Sequence, residues 1–394
     1  MIRAFGANAW YGFPSRKLKL IGVTGTDGKT TTTHLIYHIL SFAGKKTSMI
    51  STIYAKIGRD TYDTGFHVTT PDAVLIPRFL KKALDMQQEY FILETTSHRL
   101  DQNQLTGVDF FIGVITNITH EHLDYHRTYD NYAKSKLMLL RKSHIAVVNR
   151  DDDSYTHIKK SRLPKSKLVT YGLMNRADFS RDFRKEFTDL ADFNAYNYLA
   201  AYTVCRKIGV SEETIVSAFK TFELPSGRIE MVYNKEFKVI VDFAHTPNAI
   251  KNILQTIRPR YIKTRGKLIH VFGSAGLRDA TKRSLMGQAS ATGADIVVLT
   301  EEDYRTENPD TICRQIADGL KSKGFKLTHK PVRSSEKTYS IIIERKEAIF
   351  EAIQIAQKGD VVIITGKGHE KSLCRGTVEY PWDDKKAVKE ILSL

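Results

Sequence analysis

The sequence predicts an α/β fold in two domains, each built around a largely parallel sheet. Three observations carry this expectation. Apolar runs of strand length alternate with helix-length segments from one end to the other, the rhythm of βα units whose crossover helices cover a parallel sheet. The length, 394 residues, exceeds what one hydrophobic core usually serves. Between two series of runs lies Glu223-Leu224-Pro225-Ser226-Gly227-Arg228, a proline and glycine stretch suited to a joint. The expected domains are therefore 1–225 and 226–394, with 41% hydrophobic residues to fill both cores.

The first series comprises Leu18–Val23, Tyr90–Leu93, Phe110–Ile115 and Ile145–Val148. Its opening run leads straight into Gly25-Thr26-Asp27-Gly28-Lys29-Thr30-Thr31 and a helical stretch, Thr31–Phe42. A strand feeding a glycine loop and a helix is a phosphate cradle. Glycines let backbone N–H groups approach phosphate oxygens, Lys29 adds a point charge, and a Thr30 or Thr31 hydroxyl can ligate Mg²⁺. The following helix aims its positive end at the same anion. Val23 stands where the general phosphate-loop pattern has a glycine, so the reading rests on the Gly-Lys-Thr-Thr run and its setting. A nucleoside triphosphate and Mg²⁺ are the expected ligands.

Glu94 closes Tyr-Phe-Ile-Leu-Glu, while Asn117 and then His122 follow the run Phe110–Ile115. Ligands in open α/β sheets bind beyond the carboxyl ends of strands, so a carboxylate and an imidazole there could hold Mg²⁺ beside the phosphates. A solitary Glu or His is more often structural; the shared position after strands favours function. The second series, Lys238–Val241, Leu268–Phe272, Ile296–Leu299 and Val361–Ile364, repeats the alternation.

Composition narrows the partners. A net charge of +16 suits a polyanion. The basic residues are scattered, without zinc-finger spacing or an RNA-binding aromatic motif, so small anionic substrates are expected and nucleic acid is not. Cys205, Cys313 and Cys374 are odd in number and far apart, which argues against a disulfide framework or a structural zinc site. No run reaches the roughly 18 apolar residues of a membrane span, and no signal segment opens the chain; a cytoplasmic protein without membrane partners is expected. Nothing in the sequence fixes an oligomeric state, a monomer included.

Six segments in order carry a resemblance. Thr24–Thr31, Thr69-Thr70-Pro71, Glu94-Thr95-Thr96-Ser97-His98, Thr116–His126, Asp242-Phe243-Ala244-His245-Thr246-Pro247 and Gly366-Lys367-Gly368-His369-Glu370 are together similar to the Mur ligases, above all the MurE branch. The resemblance implies a P-loop ATPase-like central domain and a Rossmann-like C-terminal domain that reads the amino acid. It also implies amide-bond formation through an acyl phosphate. The implied catalytic set is Lys29 on the γ-phosphate, Thr30 or Thr31 with Glu94 on one Mg²⁺, His122 on a second, and Lys136 as a CO₂-modified lysine. Carbamylation turns an ammonium into an anionic oxygen ligand. Lys134 competes for that role; Lys136 is preferred because it lies four residues after Tyr132, on the same helix face.

The resemblance further implies nucleotide contacts from Gly25, Thr26, Asp27, Gly28, Asn117, Asn194, Asn197, Arg228, His245 and Arg278, with Asn194 and Asn197 equally readable as caps or satisfied amides. Closure by the second domain would keep an acyl phosphate from water. Thr69, Thr70, Thr96, Ser97, Gln102 and Gln104 would meet the acceptor. Gly366, Glu370 and Arg305 would meet the amino acid, with Arg305 gripping a distal carboxylate as in diaminopimelate-adding members.

Three departures bear on the acceptor. Leu18 begins the first strand where the family has a preceding uridine-binding domain of about 100 residues, so an acceptor held without the usual UDP grip is expected. Gln104 replaces a carboxylate-holding arginine, with Arg99 nearby as a substitute, and Leu277 replaces an aspartate in the segment before Arg278. Two further readings stand beside the muramoyl-peptide ligase: a folylpolyglutamate- or polyglutamate-type ligase, and a non-catalytic nucleotide-binding partner. Intact Lys29, Glu94, His122 and Lys136 argue against the last.

Overall fold

The computed structural model describes residues 1–63, 69–161, 163–164, 167–263 and 265–393. They form two compact units. Met1–Thr119 joins His126–Pro225 in the first, and His120–Tyr125 joins Ser226–Leu394 in the second.

The first unit is built on β1 (Lys19–Thr24), β2 (Thr47–Ile50), β3 (Ala55–Ile57), β4 (Asp60–Tyr62), β5 (Tyr90–Glu94), β6 (Phe110–Ile115), β7 (Ser143–Asn149) and β8 (Leu168–Tyr171). Their order is β4-β3-β2-β5-β1-β6-β7-β8. From β2 to β8 the pairing is parallel, and β3 and β4 extend the edge antiparallel. Leu20, Ile21 and Val23 of central β1 are buried because helices cover both faces, which is why this strand reads as an unbroken apolar run rather than an alternating one. One face packs on helices Lys29–Phe42, Asp192–Ile208 and Glu212–Lys220; the other packs on Leu75–Asp85. Helix Tyr129–Arg141 lies tight over β1 and β6 because Gly22 and Gly113 carry no side chain there. A Cβ at Gly22 would fall 2.6 Å from Leu139 Cδ1, and one at Gly113 would fall 3.2 Å from Leu139 Cγ. That close approach brings Lys136 to the sheet.

The second unit repeats the plan with β9 (Glu230–Asn234), β10 (Lys238–Val241), β11 (Leu268–Phe272), β12 (Ile296–Leu299), β13 (Lys326–Leu327), β14 (Thr338–Ile341) and β15 (Val361–Ile364), in the order β13-β14-β12-β11-β15-β10-β9. Only β9 runs antiparallel. A hairpin of β16 (Ser372–Arg375) and β17 (Val378–Pro381) follows. Val239, Val241, Ile269, Val271, Ile296, Val298, Val362 and Ile364 fill the core. The fold is thus α/β with two mainly parallel sheets, as the alternating runs predict.

Strands β2, β8 and β14 escape the sequence pattern. Thr-Ser-Met-Ile, Leu-Val-Thr-Tyr and Thr-Tyr-Ser-Ile are short and half polar, and they become strands through pairing with an apolar neighbour. The segment His120–Tyr125, which the sequence reading runs on within 1–225, packs with the second unit for visible reasons. Leu123 N donates to Asp279 Oδ2 at 3.2 Å, Glu121 pairs with buried Lys282 at 2.9 Å, and His120 meets Thr281 Oγ1 at 3.3 Å.

Candidate active site

The first unit's site begins at the turn from β1 into helix Lys29–Phe42. Gly28 caps that helix in the left-handed region, φ +81°, and a Cβ there would lie 2.2 Å from Asn197 Oδ1. Only glycine satisfies both constraints. Asn117 straps the loop, accepting from Asp27 N at 2.9 Å and donating to Asp27 O at 3.0 Å, while Thr116 Oγ1 donates to the same carbonyl at 2.7 Å. Thr26 N donates to Asn117 O at 2.9 Å, and Thr26 Oγ1 meets Tyr132 Oη at 3.1 Å. Lys29 curls over this loop, with Nζ 2.7 Å from Thr26 O. Asn197 Nδ2 donates to Asn194 Oδ1 at 2.9 Å, beneath the loop.

Glu94 ends β5 with no exposed surface. Burying a carboxylate is costly without donors, and three are supplied. Thr30 Oγ1 reaches Oε1 at 2.9 Å, Thr52 N reaches Oε2 at 2.9 Å, and Thr52 Oγ1 reaches Oε1 at 2.9 Å. Of the two threonines weighed for a metal, Thr30 therefore stands against Glu94. Thr52 is a residue that sequence reasoning missed; it follows β2, a strand without a clear pattern, and its hydroxyl also lies 3.1 Å from Thr69 Oγ1.

Lys136 is 1% exposed, with Nζ donating to Gly25 O at 2.6 Å and lying 4.5 Å from the Tyr132 ring centre. Lys134 is exposed. Helical phase therefore separates the two candidates, because two residues along a helix point to different sides.

The acceptor residues cluster beyond β5. Thr70 Oγ1 donates to Glu94 O at 2.9 Å and accepts from Thr96 N at 3.0 Å. Ser97 Oγ meets His126 Nε2 at 3.0 Å. Gln104 donates to Gln102 Oε1 at 2.8 Å and accepts from Arg99 Nη1 at 2.6 Å, and Arg99 Nε donates to Thr70 O at 3.0 Å. Arg99 makes no ion pair among the described residues, although, after the hydrogen bond from Leu75 N, its charge helps lower the pKa of Asp72. Its charge is aimed by two neutral oxygens.

The remaining residues of the sequence-derived set belong to the second unit. His122 has φ +56° and lies 3.9 Å from Glu121 Oε1. Arg228 lies over the Phe243 ring at 4.5 Å, and His245 Nδ1 is 2.9 Å from Phe243 O. Arg278 and its neighbour Leu277 are exposed, and Leu277 takes φ +54°. Arg305 donates through Nη1 to Gly276 O at 2.9 Å and Asp303 O at 3.3 Å, with no ion pair among the described residues. Buried Lys367 bridges Asp303 Oδ1 at 2.8 Å and Glu370 Oε2 at 2.5 Å. Burial pulls the Lys367 ammonium down, but Glu370 and Asp303 more than offset this and leave its pKa raised.

Comparison with known proteins fits this geometry. Residues 23–205 match the Mur ligase middle domain and residues 227–368 match the Mur ligase, glutamate ligase domain. The chain belongs to the Mur ligase family. It is 38% identical over 407 aligned residues to the UDP-N-acetylmuramoyl-L-alanyl-D-glutamate–2,6-diaminopimelate ligase of Aquifex aeolicus, covering 98% of this chain and 80% of that one. The Bacteroides fragilis enzyme of the same name is 35% identical over 98% of this chain and 81% of its own. Among solved structures, one such ligase superposes with a TM-score of 0.62 at 28% identity, over 100% of this chain and 82% of that one. Mycobacterium tuberculosis folylpolyglutamate synthase superposes with a TM-score of 0.69 at 13% identity, over 100% and 95%, a likeness of fold.

This Mur ligase is therefore an ATP-dependent acid–amino-acid ligase, and enzymes of the family depend on ATP and Mg²⁺. The donors fit that ion. Thr30 and Glu94 offer hydroxyl and carboxylate oxygens beside the phosphate loop, the hard-oxygen set Mg²⁺ takes together with phosphates and water. Among the described residues no group of three or more His, Cys, Asp or Glu forms a metal cage. Among those residues, no helix is long and apolar enough to cross a membrane.

Proposed function

We propose that this ligase joins 2,6-diaminopimelate to the glutamyl carboxylate of a UDP-N-acetylmuramoyl-L-alanyl-D-glutamate-type acceptor, in the cytoplasm where ATP is made available. The names of its relatives support the substrate pair. The observation that carries the amino-acid assignment is Arg305: a guanidinium held by two backbone carbonyls, with no ion pair among the described residues. Its open donors suit a second carboxylate, which diaminopimelate has and lysine lacks.

In this reading the acceptor carboxylate takes the γ-phosphoryl group of ATP, ADP leaves, the incoming amine attacks the acyl carbon, and inorganic phosphate departs as the amine loses its proton. Residues 1–225 serve as the ATP-binding domain and 226–394 as the amino-acid domain. Lys29 holds the γ-phosphate, and loop N–H groups from Gly25 to Thr31 hold the rest of the phosphate chain. Thr30 and Glu94 would hold Mg²⁺, and His122 and a carbamylated Lys136 are each candidate ligands for a further ion; bound there, the metal would supply positive charge to offset that on the transferring phosphoryl group. The nitrogen of a carbamylated Lys136 keeps one N–H, so the bond to Gly25 O survives modification. Arg99, steered by Gln104 and Thr70, takes the acceptor-side charge that Gln104 lacks. Asn194, Asn197, Arg228, His245 and Arg278 remain candidates for the nucleotide, and Thr69, Thr96, Ser97 and Gln102 for the acceptor.

A phosphate-release assay with ATP and Mg²⁺ tests the reading, with UDP-linked and UDP-free muramoyl dipeptides crossed against diaminopimelate, lysine and glutamate. Release requiring a muramoyl dipeptide and diaminopimelate together, with the tripeptide seen by mass spectrometry, is the expected result. Equal release with lysine removes the role given to Arg305.

A further inference from the structure

His34 lies in helix Lys29–Phe42 one turn beyond Thr30, a spacing that puts both side chains on one face. It is 7% exposed, and none of the roles assigned above uses it. Its Nε2 lies 3.1 Å from Ser51 Oγ, and its ring meets the Tyr54 ring edge-on with centres 5.3 Å apart. Ser51 opens the short turn between β2 and β3. Its N and Oγ both donate to Tyr54 O, at 3.0 and 3.1 Å, and its Oγ accepts from Ile53 N at 3.2 Å. A hydroxyl has one proton to give. With that proton on Tyr54 O, a pure acceptor, Ser51 Oγ receives the Nε2–H of His34, and the helix pins the turn.

Thr52 is what this turn delivers. Its N and Oγ1 reach the two oxygens of Glu94 at 2.9 Å each, and Thr30 Oγ1 supplies the third bond, also at 2.9 Å. The contacts close a circuit. It runs from Thr30 to Glu94, on to Thr52, along the chain to Ser51, across to His34, and back down the helix to Thr30. Donors behind a carboxylate set its orientation and which lone pairs remain for a metal. A histidine that holds the turn therefore governs the aim of Glu94 through Thr52.

We propose that His34 is a positioning residue for Mg²⁺: by holding Ser51 it fixes Thr52 against Glu94, and so sets how tightly the Thr30 and Glu94 pair takes the nucleotide-bound ion. This rests on the metal role given above to Thr30 and Glu94 and deepens it, since it names the side chain that keeps their oxygens in place. Thr30 and His34 then divide the work of one helix face, the first bonding the carboxylate and the second the turn beside it.

The test uses the full chain and a non-hydrolysable ATP analogue, titrated calorimetrically with Mg²⁺ present and with EDTA in its place. The quantity read is the gain in analogue affinity that Mg²⁺ brings. His34→Phe keeps a ring against Tyr54 and removes the Nε2–H; it is expected to cut that gain about fivefold or more, with affinity in EDTA changed by less than about twofold. In ADP release the apparent KM for Mg²⁺ should rise by a like factor, with kcat at saturating Mg²⁺ within about twofold. His34→Gln carries an amide N–H of similar reach and should restore the gain to within about twofold of wild type. Ser51→Ala removes the other half of the bond and should show at least the loss of His34→Phe, and joining the two changes should add little to either. Equal weakening with and without Mg²⁺, no weakening, or full additivity with Ser51→Ala overturns the proposal. So does a His34→Gln variant as impaired as His34→Phe. A gain abolished by Glu94→Gln but kept in His34→Phe and in Ser51→Ala overturns the His34 role alone. A gain that survives Glu94→Gln removes the metal role of Glu94, and this proposal with it.

Discussion

Glu94 and Glu302 are both buried carboxylates at the carboxyl end of a parallel strand, one in each unit, and their surroundings are opposite. Glu94 is met by three neutral donors from Thr30 and Thr52. Glu302 has a buried oxygen that no donor reaches among the described residues, and burial, followed by the charge of Asp303, pushes its pKa up against the pull of Lys367 and Lys282. The first arrangement fixes a carboxylate in place before any ligand arrives. The second leaves the cost of burial standing, with no donor on that oxygen among the described residues. Residue type and depth are shared, so the difference in use comes from the neighbours alone.

The comparison breaks most sharply at Glu94. Glu94→Gln keeps the volume and removes the charge offered to Mg²⁺, and a loss of roughly 100-fold or more in kcat is expected, measured as ADP release at saturating ATP with Mg²⁺ titrated. Thr52→Val removes only one of the donors and should cost about tenfold. If Thr52→Val costs as much as Glu94→Gln, the hydroxyl acts directly and not through the carboxylate.

Lys136 sharpens the contrast next, since carbamylation would convert its buried ammonium into a third acidic group. Lys136→Ala should lose on the order of 100-fold in rate and recover part of it with added short carboxylic acids. Absence of rescue, with an unmodified lysine mass in protein kept under CO₂, would leave Lys136 as a clasp on Gly25 O.

The smallest effect is on stability. Because the folded pKa of Glu302 is raised above its unfolded value, its ionisation stabilises the unfolded state more than the folded one. That penalty is absent below the unfolded pKa, grows as pH rises from the unfolded pKa to the folded one, and is constant above it. Its charged neighbours are Asp303 and Glu370, which raise the pKa, and Lys367 and Lys282, which lower it; Arg345 also feels its charge. Glu302→Gln is therefore expected to raise Tm at pH 8 by roughly 2 °C or more, with a smaller gain at pH 4. A fall in Tm at pH 8 would mean that Glu302 is already paired in the free protein.

What the sequence by itself determined is the local chemistry that repeats along a chain. The apolar runs of β1, β6, β10, β11, β12 and β15 are legible because strands buried on both faces need continuous hydrophobic residues. The Gly25–Thr31 loop is legible because a phosphate cradle needs its glycines, lysine and threonines in consecutive positions. Six ordered segments carried the family. Tertiary structure decided the rest, because it depends on residues distant in sequence. Thr52 meets Glu94 across 42 positions, and Lys136 reaches Gly25 across 111. His122 packs in the second unit because Asp279, Thr281 and Lys282 hold its neighbours. Glu302 stands open because Lys367 is engaged by Asp303 and Glu370. A carboxylate's use is set by which donors surround it, and that assembly exists only once the chain has folded.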